Sequence, residues 1–147
     1  MPDMVLFAAR LARGLTLLTQ GTAYDVTTQA YVNPSDWQNC TMTSFLVDDH
    51  LSIVHDDQAK PDQVWCHTMG LTKFGLDEIE TFYGKGLPES AAKDLLTESA
   101  TELLRIGQSP KVGTAFRLPL LGRTIRIVNY RTVAPTGRMI GFRELQG

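Results

Sequence analysis

A cluster of carboxylates, Asp77, Glu78 and Glu80, follows shortly after His67 and Thr68. Paired carboxylates facing one cleft carry out hydrolysis, and an imidazole beside a carboxylate moves protons near neutral pH. Residues 77–80 read as the first turn of a short helix, where acids complement the positive end of the helix dipole. On such a helix Asp77 and Glu80 share a face and Glu78 does not. The set His67, Thr68, Asp77, Glu78 and Glu80 therefore marks a polar site for a small hydrolase or transferase. The same acids would equally serve the dipole alone.

The remaining histidines and cysteines give weaker patterns. His50 and His55 are five residues apart and point to opposite sides of one extended strand. Cys66 and His67 are adjacent and also diverge. No pair has zinc-finger spacing and no H-E-x-x-H occurs, so no metal is expected. Asp48-Asp49-His50 and His55-Asp56-Asp57 place acids beside imidazoles at the two ends of Leu51-Ser52-Ile53-Val54. They read as polar strand ends. Gly84-Lys85-Gly86 lacks the phosphate-loop frame, and no G-x-S-x-G marks Ser44, Ser52, Ser90, Ser99 or Ser109 as a nucleophile. No cofactor is expected. Two cysteines, Cys40 and Cys66, are too few for a disulfide framework and fit a reduced, cytoplasmic chain. Asn39-Cys40-Thr41 matches a glycosylation sequon, which in that compartment is accidental.

Arginines supply the third pattern. The net charge is only −2, yet it is segregated. Residues 21–102 hold 14 acids against four lysines, whereas residues 103–147 hold seven arginines and Lys111 against Glu144 alone. Arginine presents a planar donor fork suited to carboxylate or phosphate. By strand alternation Arg117, Arg126 and Arg143 lie opposite Phe116, Ile125 and Phe142. In a three-stranded meander they would share the face away from the core. That face would bind an anion or an acidic partner, or stand solvated against the acidic middle. A pI near 5.9 argues against nucleic acid.

These groups need elements to hold them. Residues 3–19 have the spacing of an amphipathic helix, with Asp3 as N-cap and Val5, Ala8, Ala9, Ala12 and Leu15 on a buried stripe that Leu11 and Leu18 widen. Arg10 and Arg13 make this stretch too charged, and its length too short, to span a membrane. Residues 22–32 read as a hairpin turning at Asp25–Thr28, and Asn33-Pro34-Ser35-Asp36 as a further turn ahead of a core Trp37. Strands are expected at 51–55 and 63–68. Residues 88–106 form the clearest helix, with Ala92, Leu95, Leu96, Ser99, Leu103 and Ile106 on one stripe and Gly107 as its stop. Three strands close the chain over 112–120, 123–133 and 138–145, the last two joined by a turn at 134–137. The length of 147 residues suits one domain. The order helix, strands, helices, strands predicts an α+β fold with a mainly antiparallel sheet and helices packed on one face.

The stretch His67-Thr68-Met69-Gly70-Leu71-Thr72-Lys73-Phe74-Gly75-Leu76-Asp77-Glu78-Ile79-Glu80 resembles a motif of an uncharacterised bacterial domain family of unknown function. In that family a strand ending in H-T-x-G-[LM] leads into [KR]-[FY]-G and a short acidic helix. The resemblance implies a bacterial α+β protein and little chemistry. By analogy, small bacterial domains of this sort include toxin-neutralising immunity proteins. With no catalytic signature and strong charge segregation, the sequence predicts a non-enzymatic protein-binding module, of immunity or adaptor type. A protein partner, or a second copy of the chain, is expected; nucleic acid and membrane are not. The alternative is the hydrolase or transferase centred on His67.

Overall fold

The computed structural model describes residues 2–38, 40, 42–133 and 139–147. It contains helix α1 (Pro2–Thr19), strands β1 (Ala23–Asp25) and β2 (Ala30–Val32), and a 3-10 turn at Val47–Asp49. Strands β3 (Ser52–Asp56) and β4 (Gln63–Met69) follow, then a second 3-10 turn at Leu71–Phe74 and strand β5 (Glu78–Gly84). Helix α2 (Glu89–Ile106) precedes β6 (Ala115–Leu118), β7 (Arg123–Val133) and β8 (Ile140–Gln146). The fold is α+β as expected. The expected turn at 134–137, Arg138 and the sequon residues Asn39 and Thr41 lie outside the described residues.

Six strands form one sheet in the order β3-β4-β5-β8-β7-β6, and β1 pairs with β2 separately. Every neighbouring pair is antiparallel except β5 with β8. The chain reaches β8 from β5 through α2 and the β6–β7 hairpin, so the two central strands run the same way. Helix α2 lays Leu95, Leu96, Ala100 and Leu103 on a core shared with Cys66, Ile79, Leu118, Ile125, Ile127 and Leu145. It ends as its sequence predicts: Gly107 takes the left-handed conformation and its N–H bonds Leu103 O at 2.8 Å. The opposite sheet face has a smaller cluster of Met69, Ile140 and Phe142, with Trp65 and Val133 against it.

Two local readings give way to long-range pairing. Residues 78–80 are strand, not helix. Glu78, Ile79 and Glu80 pair with β8, and Glu80 also sits opposite His67 of β4. Sheet pairing on both sides outweighs a dipole preference worth under about 1 kcal/mol. The acidic helix implied by the family resemblance is therefore absent at these positions. In β7, a bulge between Ile127 and Asn129 inserts an extra residue and reverses the alternation beyond it. Ile125 and Ile127 face the α2 core, whereas Val133 packs on the other side.

Gly70 joins β4 to the 3-10 turn at φ 127°, a region closed to side chains. A Cβ there would lie 2.5 Å from the His50 carbonyl oxygen. A backbone oxygen cannot swing aside, so Gly70→Ala is expected to cost about 3 kcal/mol. A urea midpoint unchanged by that substitution would contradict this packing.

Candidate functional site

On the sheet face away from α2, strand alternation places Trp65 and His67 of β4 beside Glu80 of β5, Arg131 of β7 and Phe142 of β8. Glu80 is 0% exposed. Its carboxylate accepts Arg131 Nε at 2.7 Å, Arg131 Nη2 at 2.5 Å and Trp65 Nε1 at 2.6 Å. Arg131 also lies 4.9 Å from the Trp65 ring centroid. His67 is stacked between Trp65, at 4.1 Å, and the edge of Phe142, at 5.1 Å. A carbonyl only accepts, so the 3.0 Å contact from Nδ1 to Thr68 O puts the His67 proton on Nδ1. Burial pushes its pKa down, against the opposing pull of the Thr68 carbonyl and of Glu78 and Glu80.

Glu78 serves the fold. Its carboxylate accepts the Thr68 hydroxyl at 2.7 Å and the N–H groups of Gly70, Leu71 and Thr72 at 2.8–3.2 Å. It caps the 3-10 turn from across the β4–β5 connection. Asp77 is taken by Arg143, whose Nε and Nη2 approach at 2.8 and 2.7 Å. The structure thus gathers the predicted polar set His67, Thr68, Asp77, Glu78 and Glu80 at the end of β4 and start of β5. It supplies Glu78 and Glu80 with fixed donors inside the fold and Asp77 with Arg143. Among the described residues His67 makes no hydrogen bond to a carboxylate.

The three arginines do not share a face. Arg126 pairs with Gln146 and Arg117 with Thr124, so both stand exposed on the Phe142 side of the sheet. Arg143 pairs with Tyr130 on the Leu145 side, and its guanidinium lies 4.8 Å from the Tyr130 ring centroid. The separation arises in β8, where Leu145 faces the α2 core and Phe142 faces away from it, so Arg143 lies on the core side while Arg126 and Arg117 do not. Arg131, missed by reasoning from alternation alone, is the arginine that meets a buried acid. The signal available was its sheet position within an acid-poor segment, but its partner lies 51 residues upstream.

A second polar cluster sits between β3 and α2. His55 Nε2 lies 3.0 Å from Glu89 Oε1 and 3.7 Å from Cys66 Sγ, and its Nδ1 lies 3.1 Å from the Tyr83 hydroxyl. The arrangement has the members of a thiol–imidazole–carboxylate set. Cys66 is fully buried, however, and burial pushes its thiol up to about 12, so it holds no thiolate at neutral pH. Cys40 and Cys66 are both free thiols. Among the described residues no group of three His, Cys, Asp or Glu side chains could hold a metal ion. No helix among them is long and apolar enough to cross a membrane.

Helix α1 departs furthest from expectation. Its inward face carries Leu6, Ala9 and Ala12, packed around Trp37 and Met42. Arg10 ties it down through Nε to Met42 O at 2.8 Å and Nη2 to Thr43 O at 3.0 Å. Leu15, expected inside, is outside with Leu11 and Leu18. Beside Leu6 the inward side chains are the small Ala9 and Ala12, while most of the large apolar side chains face solvent. The alanines leave a cavity of about 240 Å³ between α1, the β1–β2 hairpin and the 3-10 turns, floored by Trp37, His50 and the Asp25–Lys73 ion pair. Among the described residues the buried Arg13 Nε, Trp37 Nε1 and His50 Nε2 have no hydrogen-bond partner, which costs folding free energy.

The buried groups fix a pH response. Burial and the Lys73 cation push His50 down, and burial pushes His67 down. Unfolded histidine takes a proton near pH 6.5, before the folded ones do. Stability is therefore expected to fall as pH drops through about 6.5. Burial pushes the Asp25 carboxyl up, but hydrogen bonds from Lys73 and Thr27 outweigh it and hold it well below the ordinary carboxylate range. A second loss is expected once pH falls below about 3.9, where unfolded aspartate protonates first. Urea midpoints between pH 7.5 and 3 check both steps, and a flat profile from 7.5 to 5.5 would contradict the histidine assignment.

No protein-family model, curated protein or solved structure matches this chain.

Proposed function

We propose that this chain is a non-enzymatic protein-binding module and that α1 is its binding element. The observation that carries the reading is the outward face of α1, where Met4, Phe7, Leu11, Leu15 and Leu18 are 54–84% exposed while Ala9 and Ala12 pack inward. A helix that spends its large apolar side chains on solvent has its favourable burial still to make, and contiguous apolar surface of this kind marks interaction sites. Immunity-type and adaptor roles are two forms of the same reading.

Charge plays a smaller part than the sequence suggests. Arg131 and Arg143 from the basic segment are paired with Glu80 and Asp77 from the acidic one. Part of the segregation is spent inside the fold, which moves the binding reading from an arginine face to an apolar helix. The hydrolase alternative is weakened by the same geometry, because the carboxylates near His67 already hold structural donors.

A photo-cross-linking amino acid placed at Leu11 or Leu18 tests the reading in cells expressing the chain. Protein adducts are expected from both positions and not from Leu120, which is 90% exposed but lies on a loop far along the chain. No adduct from α1, or the same adducts from Leu120, would overturn it.

A further inference from the structure

The outward residues of α1 have an internal symmetry. Met4, Phe7, Leu11, Leu15 and Leu18 are arranged evenly about Leu11, with Met4 and Leu18 seven residues to either side and Phe7 and Leu15 four. The small residues Ala8 and Gly14 are likewise three to either side. At 100° per residue all five large side chains fall within about 40° of the Leu11 direction, one narrow stripe roughly 21 Å long. A stripe symmetric about its centre is complementary to itself when turned end for end.

We propose that the protein partner of α1 is a second copy of this chain, docked antiparallel on a two-fold axis beside Leu11. This rests on the reading of α1 as the binding face. A two-fold axis between antiparallel helices places residues equidistant from Leu11 in one layer. Met4 then shares a layer with the partner's Leu18, and Phe7 with the partner's Leu15. Leu11 meets the partner's Leu11. Ala8 and the partner's Gly14 share a layer on opposite flanks, where small side chains let the two backbones approach.

Area agrees with this occupant. Five side chains at these exposures present on the order of 600 Å², or roughly 1,200 Å² over both copies, which reaches the lower bound for a specific stable interface. Tyr24 and Tyr31, with ring centroids 4.7 Å apart and both exposed on the adjacent hairpin, extend the apolar surface beyond the helix. Asp3 and Arg10 are the charges beside the stripe. Arg10 and the partner's Arg10 fall on one flank beside the axis, each guanidinium turned back to the Met42 and Thr43 carbonyls of its own chain, and Asp3 comes level with the partner's Thr19. Antiparallel helix dipoles attract. An anionic membrane surface would favour a row of lysines and arginines beside the stripe, which this helix lacks.

Light scattering during size exclusion, with cross-linking in a Cys40→Ser background, tests the arrangement. Tens of micromolar chain should run at twice 16.3 kDa. Leu11→Glu, at a position already more than half exposed, should keep its helical circular dichroism and weaken association at least 100-fold. Leu11→Cys should join to itself through a short bis-maleimide. A mixture of Phe7→Cys and Leu15→Cys chains should join at least tenfold faster than either alone. A single-chain mass at 100 µM, or Leu11→Cys joining no faster than Leu120→Cys, overturns the proposal. So does vesicle binding by a chain that stays monomeric. A monomer whose α1 photo-adducts have another protein's mass sinks the second copy and leaves α1 as the binding face. Absence of any α1 adduct in a monomeric chain sinks both.

Discussion

Glu78→Ala is expected to cost about 4 kcal/mol and to leave little folded protein at room temperature. Glu78 is a buried carboxylate serving four donors, three of them backbone N–H groups at the 3-10 turn. Alanine leaves those N–H groups buried without an acceptor, and each such group costs about 1–3 kcal/mol. A domain has only about 5–15 kcal/mol to lose. The damage would spread, because this turn carries Lys73 to Asp25 and Phe74 to Phe45. Glu78→Gln retains one acceptor oxygen and should lose about half as much. Urea denaturation followed by circular dichroism reads both. A midpoint change worth under about 1 kcal/mol for the alanine variant would show that Glu78 is not the cap of that turn.

Arg131→Ala comes next, at about 3 kcal/mol. Removing one partner of a buried ion pair leaves the other charge uncompensated, which costs about 3–5 kcal/mol. Glu80 would keep only the Trp65 N–H. Arg131 itself is about a third open to solvent, at 37%, which places the loss at the lower end of that range. The sharper expectation is a reversal. Glu80→Met combined with Arg131→Met removes both charges, fills similar volume and should be more stable than Arg131→Ala alone. If the double variant is the less stable one, the pair contributes through a network that simple burial of charge does not describe.

Elements whose signals are local were legible in the sequence. Asp25 could be read as a turn residue because its own side chain makes the turn, accepting the N–H groups of Thr27 and Thr28. Helix α2 was legible because its apolar stripe from Ala92 to Leu103 is buried and it stops at Gly107, although Ile106, expected on that stripe, is exposed in the last turn. The residues of the polar set around His67 come together in space, but the helix expected at residues 77–80 is a strand. The dipole argument at residues 77–80 concerned one turn, whereas the strand is held by β4 on one side and β8 on the other, and no nearby residue announces β8. The arginine face failed for a similar reason. Alternation relates residues within a strand but does not say which face meets the core: Phe142 faces away from α2, so Arg143 lies with Leu145 on the side opposite Arg126.

For α1 the periodicity specified a helix and left its rotation open. Apolar residues cover most of its circumference, so hydrophobicity alone could not choose between the stripe through Ala9 and Ala12 and the stripe through Leu11. Chain composition, the helices and the turns followed from residues acting on their neighbours. Which side of α1 faces solvent, which acid meets Arg131 and what Glu78 holds were decided only when distant segments met. Burial and buried-charge pairing are properties of the assembled fold, and both act between residues that sequence spacing does not relate.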